Sequence, residues 1–294
     1  MSLNARIAEE AGGFEGTLGV AVRHLGTEES GSLHGRELFP TASVFKLPVI
    51  VELYRLVESR KLSLDDVRIL REEDKVPGSG ILKELSEGLN VSLRDLTRLM
   101  MILSDNTATD MILSYVGMDR VNATMDSLGL KKTRVVATCR DLLFDLVGAN
   151  DLPAEERTLA AYQERVKEGT NRGSWSLGIE RNNVTTPEEM NTLLTLIAEG
   201  KAATRASCDE IIAIMARCQT GEYRVHKYLP ATEVKMYRKT GSLPGIRNDV
   251  GIIQVNATGE RYCISCFTKG AKDVYAAEEA IAKVSRAVYL HFTG

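Results

Sequence analysis

The order of strand-like and helix-like segments predicts an α/β protein of the α+β type. Runs typical of strands lie near both ends of the chain, at 17–24, 32–39, 233–239, 249–256 and 261–268. Almost every segment from 62 to 129 instead has the apolar spacing of helices. We therefore expect an antiparallel sheet lobe that both termini build, with flanking helices, and an all-helical lobe inserted after the second strand.

A chain of 294 residues has the length of one large domain or of two ordinary lobes. No internal repeat or low-complexity segment divides it. We expect a single domain over 1–294, in which residues 1–41 and 220–294 form the α/β lobe and residues 42–219 form the all-α lobe.

Start and stop signals justify the individual elements. Gly12-Gly13 ends a short helix over 3–11, and the turn at 26–31 joins the first two strands into an antiparallel hairpin. The segment 44–59 tolerates Pro48 because amide donors in the first turn lack intrahelical partners. Further helices are predicted at 93–103, 107–115, 119–128, 187–198, 205–218 and 274–292. The stretch from 131 to 183 is irregular, with one helix expected between Pro153 and about Lys167.

Composition excludes several classes of protein. Hydrophobic residues make up 44% and charged residues 26%, as in a folded globular protein. A net charge of −3 leaves no basic excess for nucleic acid. No apolar run approaches the roughly 18 residues that a membrane span needs, and residues 1–10 do not resemble an export signal.

The five cysteines are expected to be mostly buried thiols, because a chain of this size does not need a disulfide scaffold. Cys263 and Cys266 have metal-like spacing, but residues three apart on a strand point to opposite faces. The four histidines are scattered and add no ligand cluster. We expect no metal and no cofactor.

Three short motifs carry the chemistry. Ser43 and Lys46 lie one helical turn apart, so a hydroxyl nucleophile and an amine share one helix face. Lysine activates such a serine when burial or another cation lowers the pKa of the amine. Ser104-Asp105-Asn106 follows in a turn between two helices, and Lys239-Thr240-Gly241-Ser242 is expected at the end of a strand.

This order of motifs resembles that of class A β-lactamases and penicillin-binding proteins, which share Ser-x-x-Lys, Ser-Asp-Asn and Lys-Thr-Gly. The segments 39–46, 77–80, 104–108 and 185–187 also look like class A segments in class A order. The resemblance covers nearly the whole chain except about 131–182. It implies an α/β lobe with an inserted all-α lobe.

The resemblance also implies a role for each motif residue. Ser43 is expected to attack a β-lactam amide and become acylated, Lys46 to hold or relay its proton, and Ser104 to protonate the leaving nitrogen. Lys239 is expected across the cleft, near the substrate carboxylate, and both lysines should face Ser104. Backbone N–H groups of Ser43 and Ser242 would form the oxyanion site.

The same resemblance implies the residues that bind substrate. Asn106 is expected to bind the side-chain amide of the substrate, while Thr240 and Ser242 bind its carboxylate. Gly241, which lies between those two residues, is expected to belong to the same binding site. Arg247 is a further candidate cation for that carboxylate, but its sequence context favours a surface arginine.

One expected motif is missing. Class A enzymes carry Glu-x-x-Leu-Asn after the second motif, and that glutamate activates the deacylating water. Here Glu156 lies in a helical pattern without the asparagine, and Glu168, followed by Asn171, is incorrectly spaced. Glu168 is the better placed of two weak candidates.

Three functions therefore remain open. The leading one is a serine β-lactamase. The alternatives are a penicillin-binding sensor that acylates without efficient turnover, and a D-alanyl peptidase or esterase on the same scaffold. Each takes a small β-lactam or D-alanyl peptide-like substrate. We expect a monomer, and the resemblance implies a periplasmic or secreted location.

Overall fold

The computed structural model describes residues 1–149, 151–169, 178 and 181–294. Its helices are α1 (Leu3–Glu10), α2 (Lys46–Glu58), α3 (Leu93–Ile102), α4 (Asn106–Val116), α5 (Met118–Ser127), α6 (Cys139–Leu146), α7 (Leu159–Lys167), α8 (Pro187–Ala198), α9 (Arg205–Met215) and α10 (Val274–Thr293). Its strands are β1 (Thr17–His24), β2 (Ser30–Leu33), β3 (Phe39–Pro40), β4 (Val67–Ile69), β5 (Asn90–Ser92), β6 (Val184–Thr185), β7 (Val234–Leu243), β8 (Ile246–Val255) and β9 (Arg261–Lys269).

An antiparallel sheet of five strands, in the order β2-β1-β9-β8-β7, joins the two ends of the chain. Strand β9 lies between β1 and β8, with Val20 opposite Cys266 and Val250 opposite Ser265. The predicted α+β class, with strands from both ends and helices between them, is confirmed. The lobe boundaries at 41/42 and 219/220 stay predictions.

The two faces of the sheet belong to two hydrophobic cores. Helices α1 and α10 pack on one face through residues such as Ile7 and Ile281, and Cys266 points into this core. Cys263 points into the other core, which α2, α3, α4, α8 and α9 share. The two cysteines therefore face opposite sides of β9, as the strand period predicts, and all five cysteines are free thiols.

Several sequence-based boundaries are wrong. The segment 32–39 is not one strand: β2 ends at Leu33, and Phe39–Pro40 forms a separate strand that pairs with β6. Strands β4 and β5 form a small antiparallel pair where helices were expected. Helix α6 was not anticipated, although Thr138 and Asp141 form a capping box at its start.

The third motif also lies elsewhere than expected. Lys239 and Gly241 are inside β7, which continues to Leu243 before Pro244 and Gly245 turn the chain into β8. The prediction ended the strand too early because two polar residues and a glycine interrupt its apolar pattern. None of the helices in the described ranges is both long and apolar enough to cross a membrane.

Candidate active site

Ser43 lies in a short 3-10 helix, Ala42–Phe45, that leads directly into α2. The preceding Ala42 has a φ of 45°, in the left-handed region that costs a residue with a Cβ about 1–2 kcal/mol. Buried side chains hold this backbone in place. The Nδ2 of Asn248 donates to the carbonyls of Pro40 (2.8 Å) and Thr41 (3.0 Å). Residues with strained backbone conformations cluster at functional sites, and Ala42 directly precedes Ser43.

Lys46 is fully buried at the start of α2. Its Nζ donates to the carbonyl of Ser104 (2.7 Å), to the Oγ of Ser104 (3.1 Å) and to the Oδ1 of Asn106 (2.9 Å). Burial lowers the pKa of Lys46, because removal from water disfavours the ammonium form. A buried lysine of this kind is able to accept a proton once it is neutral.

Lys239 approaches the same serine from the sheet. Its Nζ donates to the Oγ of Ser104 (3.0 Å) and to the carbonyl of Thr240 (2.9 Å). Burial first, and then the charge of Lys46, lower the pKa of Lys239 to about 7. Ser104 itself has a φ of 58°, which turns its carbonyl and its hydroxyl toward the lysines. The structure thus brings Lys46, Ser104 and Lys239 together.

The other two residues of the second motif have separate tasks. Asp105 caps α4 by accepting from the amide of Ala108, and it also accepts from the amides of Ile81 and Leu82. It is therefore a structural residue. Asn106 faces the cleft: its Nδ2 donates to the carbonyl of Pro77 (3.0 Å) while its Oδ1 binds Lys46.

The end of β7 passes very close to the backbone at Ser43. A Cβ on Gly241 would lie 2.5 Å from the carbonyl oxygen of Thr41 and 3.1 Å from the amide nitrogen of Ser43. Only glycine allows this approach. Thr240, the residue before it, shares a hydrogen bond of 2.5 Å with the hydroxyl of Thr220.

Ser242 is bound by an arginine that the sequence did not point to. The guanidinium of Arg224 donates to the Oγ of Ser242 (2.6 Å) and to the carbonyls of Gly241 and Asn248. Arg247, the arginine proposed from the sequence, donates instead to the carbonyls of Leu243 and Ile246. Both arginines pair with Glu278. No short motif marks Arg224, since its hydrogen-bond partners lie 17 to 54 residues away along the chain.

A cavity of about 120 Å³ opens beside Ser43. Helix α6 provides one wall with Cys139, Leu142 and Leu143. The rest of the lining is Ala42, Ser43, Phe45, Gly78, Ser79, Asn106, Ser242 and Leu243. In the described part of the chain, no carboxylate side chain contributes to this lining.

The candidate glutamates lie outside this cavity. Glu168 follows α7, faces solvent and pairs with Arg165 at 3.3 Å. Glu156 is exposed in a 3-10 turn. Asn171, the partner sought for Glu168, falls outside the described residues. Within the described ranges, no three His, Cys, Asp or Glu side chains are grouped as a metal site would require.

Known proteins share this architecture. In the solved structures, a β-lactamase from Sphaerobacter thermophilus is 29% identical and superposes with a TM-score of 0.81, covering 98% of this chain and 97% of its own. PBP-A superposes with a TM-score of 0.79 at 24% identity, covering 99% of this chain and 95% of its own, and this likeness shows the fold alone.

Curated sequences agree. The β-lactamase BRO-1 of Moraxella catarrhalis is 22% identical over 269 residues, covering 89% of this chain and 75% of that protein. The model of the Beta-lactamase enzyme family matches residues 2–292. With the family model spanning nearly every residue and the fold shared from end to end, the chain belongs to the Beta-lactamase enzyme family.

Proposed function

We propose that this protein is a serine hydrolase that opens the β-lactam amide through an acyl-enzyme on Ser43. The observation that supports it most directly is the hydroxyl of Ser104, which accepts hydrogen bonds from Lys46 and Lys239 at 3.1 and 3.0 Å. We infer that these two amines, whose pKa values are lowered, and the hydroxyl between them carry a proton from Ser43 to the leaving nitrogen.

The acylation step follows from this path. Neutral Lys46 accepts the proton of the Ser43 hydroxyl as the oxygen attacks the β-lactam carbonyl carbon. Backbone N–H groups of Ser43 and Ser242 stabilise the oxyanion. The C–N bond of the ring then breaks, the nitrogen takes the Ser104 proton, and the lysines return a proton to Ser104. The product is an ester on Ser43 and a new N–H on the opened ring.

We assign the remaining site residues to substrate binding. Asn106 lies on the α4 side of the cavity, where its amide suits the acyl side chain of the substrate. Thr240 and Ser242 lie on the β7 side, and the guanidinium at Ser242 gives that end the positive charge that a substrate carboxylate requires. The monomeric state and the extracytoplasmic location stay predictions.

The apolar wall of the cavity favours a second candidate. Release of the acyl group requires a base that activates water, but Leu142 and Leu143 line the cavity in the described part of the chain. A penicillin-binding protein that acylates and turns over slowly fits this wall. A D-alanyl peptidase or esterase has no specific observation in its favour.

Intact mass measured against time after mixing with penicillin separates the candidates. We expect a covalent adduct of one penicillin, absent in Ser43→Ala. Ser79→Ala is the matched control, because Ser79 lines the same cavity without being placed in the proton path, and it should still be labelled. An adduct that decays with product release supports the β-lactamase, and one that persists supports the binding protein. The absence of any adduct in the unsubstituted protein would exclude both.

A further inference from the structure

Asp110 is a carboxylate of α4 that the proposed reaction does not use. It follows Asn106 by four residues, so the two side chains lie on the same helix face. Asn106 binds the Nζ of Lys46. Both Asp110 oxygens are turned toward α6: Oδ1 accepts from the amide of Cys139 (2.8 Å), and Oδ2 accepts from the amide of Arg140 (2.9 Å).

These two hydrogen bonds fix the start of the helix that forms the apolar wall. The first amides of a helix have no intrahelical acceptor, so an external carboxylate satisfies them and interacts favourably with the helix dipole. Cys139, whose amide is bound, also contributes its side chain to the cavity beside Ser43. Asp110 therefore connects α4 to the start of α6, where Cys139 lines the cavity beside Ser43.

Asp110 also interacts with Lys46 through charge. Burial raises the pKa of Asp110 to about 6, whereas its two amide bonds and the charge of Lys46 act to lower it. In return, Asp110 favours the ammonium form of Lys46. Lys46 is the cation whose charge acts to lower the pKa of the Asp110 carboxyl, and the i to i+4 spacing from Asn106, which binds the Nζ of Lys46, places Asp110 on the same face of α4.

Other ionisable groups lie around Asp110 and Lys46. From α6, the buried thiol of Cys139 faces both Asp110 and Lys46, and burial strongly raises its pKa. The guanidinium of Arg140 is turned away, toward the carbonyls of Glu73 and Lys75. On α4, Asp105 also acts on Lys46, but its oxygens already accept three backbone amides. From the sheet, Lys239 repels Lys46.

We propose that Asp110 is a positioning residue for acylation: it anchors the start of α6 beside the cavity and stabilises the ammonium that forms on Lys46 as Ser43 attacks. This inference rests on the proposed function of Lys46 as the proton acceptor. A carboxylate that is already fixed by two amides needs no reorganisation when that charge develops. The protein thereby offsets part of the cost of a charged amine in a buried site.

The test compares Asp110→Asn with Glu52→Gln. Glu52 is a buried acid of α2 that binds Thr124 and is not among the groups acting on Lys46. The ¹³Cε resonance of Lys46, assigned with Lys46→Met, gives its titration midpoint without any substrate. The rate of penicillin acylation gives the pH profile. We expect Asp110→Asn to move both midpoints to lower pH by about half a unit or more, and Glu52→Gln to leave them in place.

Other outcomes decide against the proposal. If Asp110→Asn lowers the plateau rate of acylation but leaves both titration midpoints in place, Asp110 has only a structural role, and its proposed electrostatic role is wrong. If Asp110→Asn does not fold, the same question is tested in the unsubstituted protein. The NMR titration curves of the Asp110 ¹³Cγ and the Lys46 ¹³Cε should then share an inflection near pH 6. Two curves with no common inflection would contradict the proposal. A failure of acylation alone, with the NMR coupling present, counts against the proposed function and not against this pair.

Discussion

Because Gly241 has no side chain, β7 approaches the backbone at Ser43 closely. Any larger side chain would meet the carbonyl of Thr41 and the amide of Ser43 within about 3 Å. That amide is one of the two donors proposed for the oxyanion site. We therefore expect the two proposed donors to converge on one point only while this close approach is kept.

Gly241→Ala is expected to slow acylation by penicillin about 100-fold or more, the effect of losing one oxyanion donor. The second-order rate constant of adduct formation, from intact mass, measures it. Gly26→Ala is the control, because an added Cβ there would meet only the His24 ring, at 3.3 Å. Equal rates in the two variants would show that the approach of β7 does not matter.

The motifs located the residues proposed for the chemistry, but not the residues that hold them in position. Ser43, Lys46, Ser104 and Lys239 occur in short patterns that sequence reveals. Asn248, in contrast, reaches Pro40 across 208 residues, a contact that no local pattern encodes. The left-handed backbone conformation of Ala42 and Ser104 could not be predicted either, since neither residue type favours it.

Helix α6 was not predicted from the sequence. It lies in the stretch where neither motif nor resemblance was found, and only the capping box at Thr138 marked its start. The sheet was easier to predict, because alternating apolar residues on β1 and β9 identify strands without reference to a partner. The apolar wall that α6 gives to the cavity therefore could not be predicted from the sequence.

Leu143→Glu should introduce a general base into the apolar wall of the cavity. Leu143 lines the cavity beside Ser43, and its Cδ1 lies close to Gly78. We therefore expect a carboxylate at this position to enter the cavity where the acyl group is proposed to lie. We expect release of penicilloate to accelerate about tenfold or more, since a well-positioned base contributes about 10²- to 10⁴-fold. Decay of the adduct mass measures it. Leu143→Gln, which has the same size without the charge, should release at the unsubstituted rate; if it matches Leu143→Glu, base catalysis is not the cause.

At the scale of the whole molecule, the buried lysines oppose folding. The pKa of Lys239 is about 7 in the folded state against an ordinary value of 10.5. Between these two pH values the unfolded chain binds more protons than the folded one. The free energy of unfolding therefore rises with pH through this window, and falls as pH decreases toward 7.

Lys239→Met removes this titration while keeping most of the side-chain volume. We expect the variant to be more stable than the unsubstituted protein at pH 6, with a gain that shrinks toward pH 10. Thermal unfolding at several pH values tests this expectation. Lys235→Met changes an exposed lysine of the same strand and should give no pH-dependent gain. A constant difference across the pH range would mean that Lys239 does not titrate in the window.

The position of β9 between β1 and β8 has a consequence for the order of events during folding. Ser43 and Lys46 follow the first strands, whereas Lys239 and Gly241 lie almost 200 residues later, and contacts of such high sequence separation form slowly. A chain whose sheet is incomplete would contain Ser43, the proposed nucleophile, without Lys239 beside Ser104. Penicillin labelling during refolding therefore reports when the central sheet is completed. The adduct should appear in the last kinetic phase of folding, when the long-range strand contacts form, and not during early helix formation.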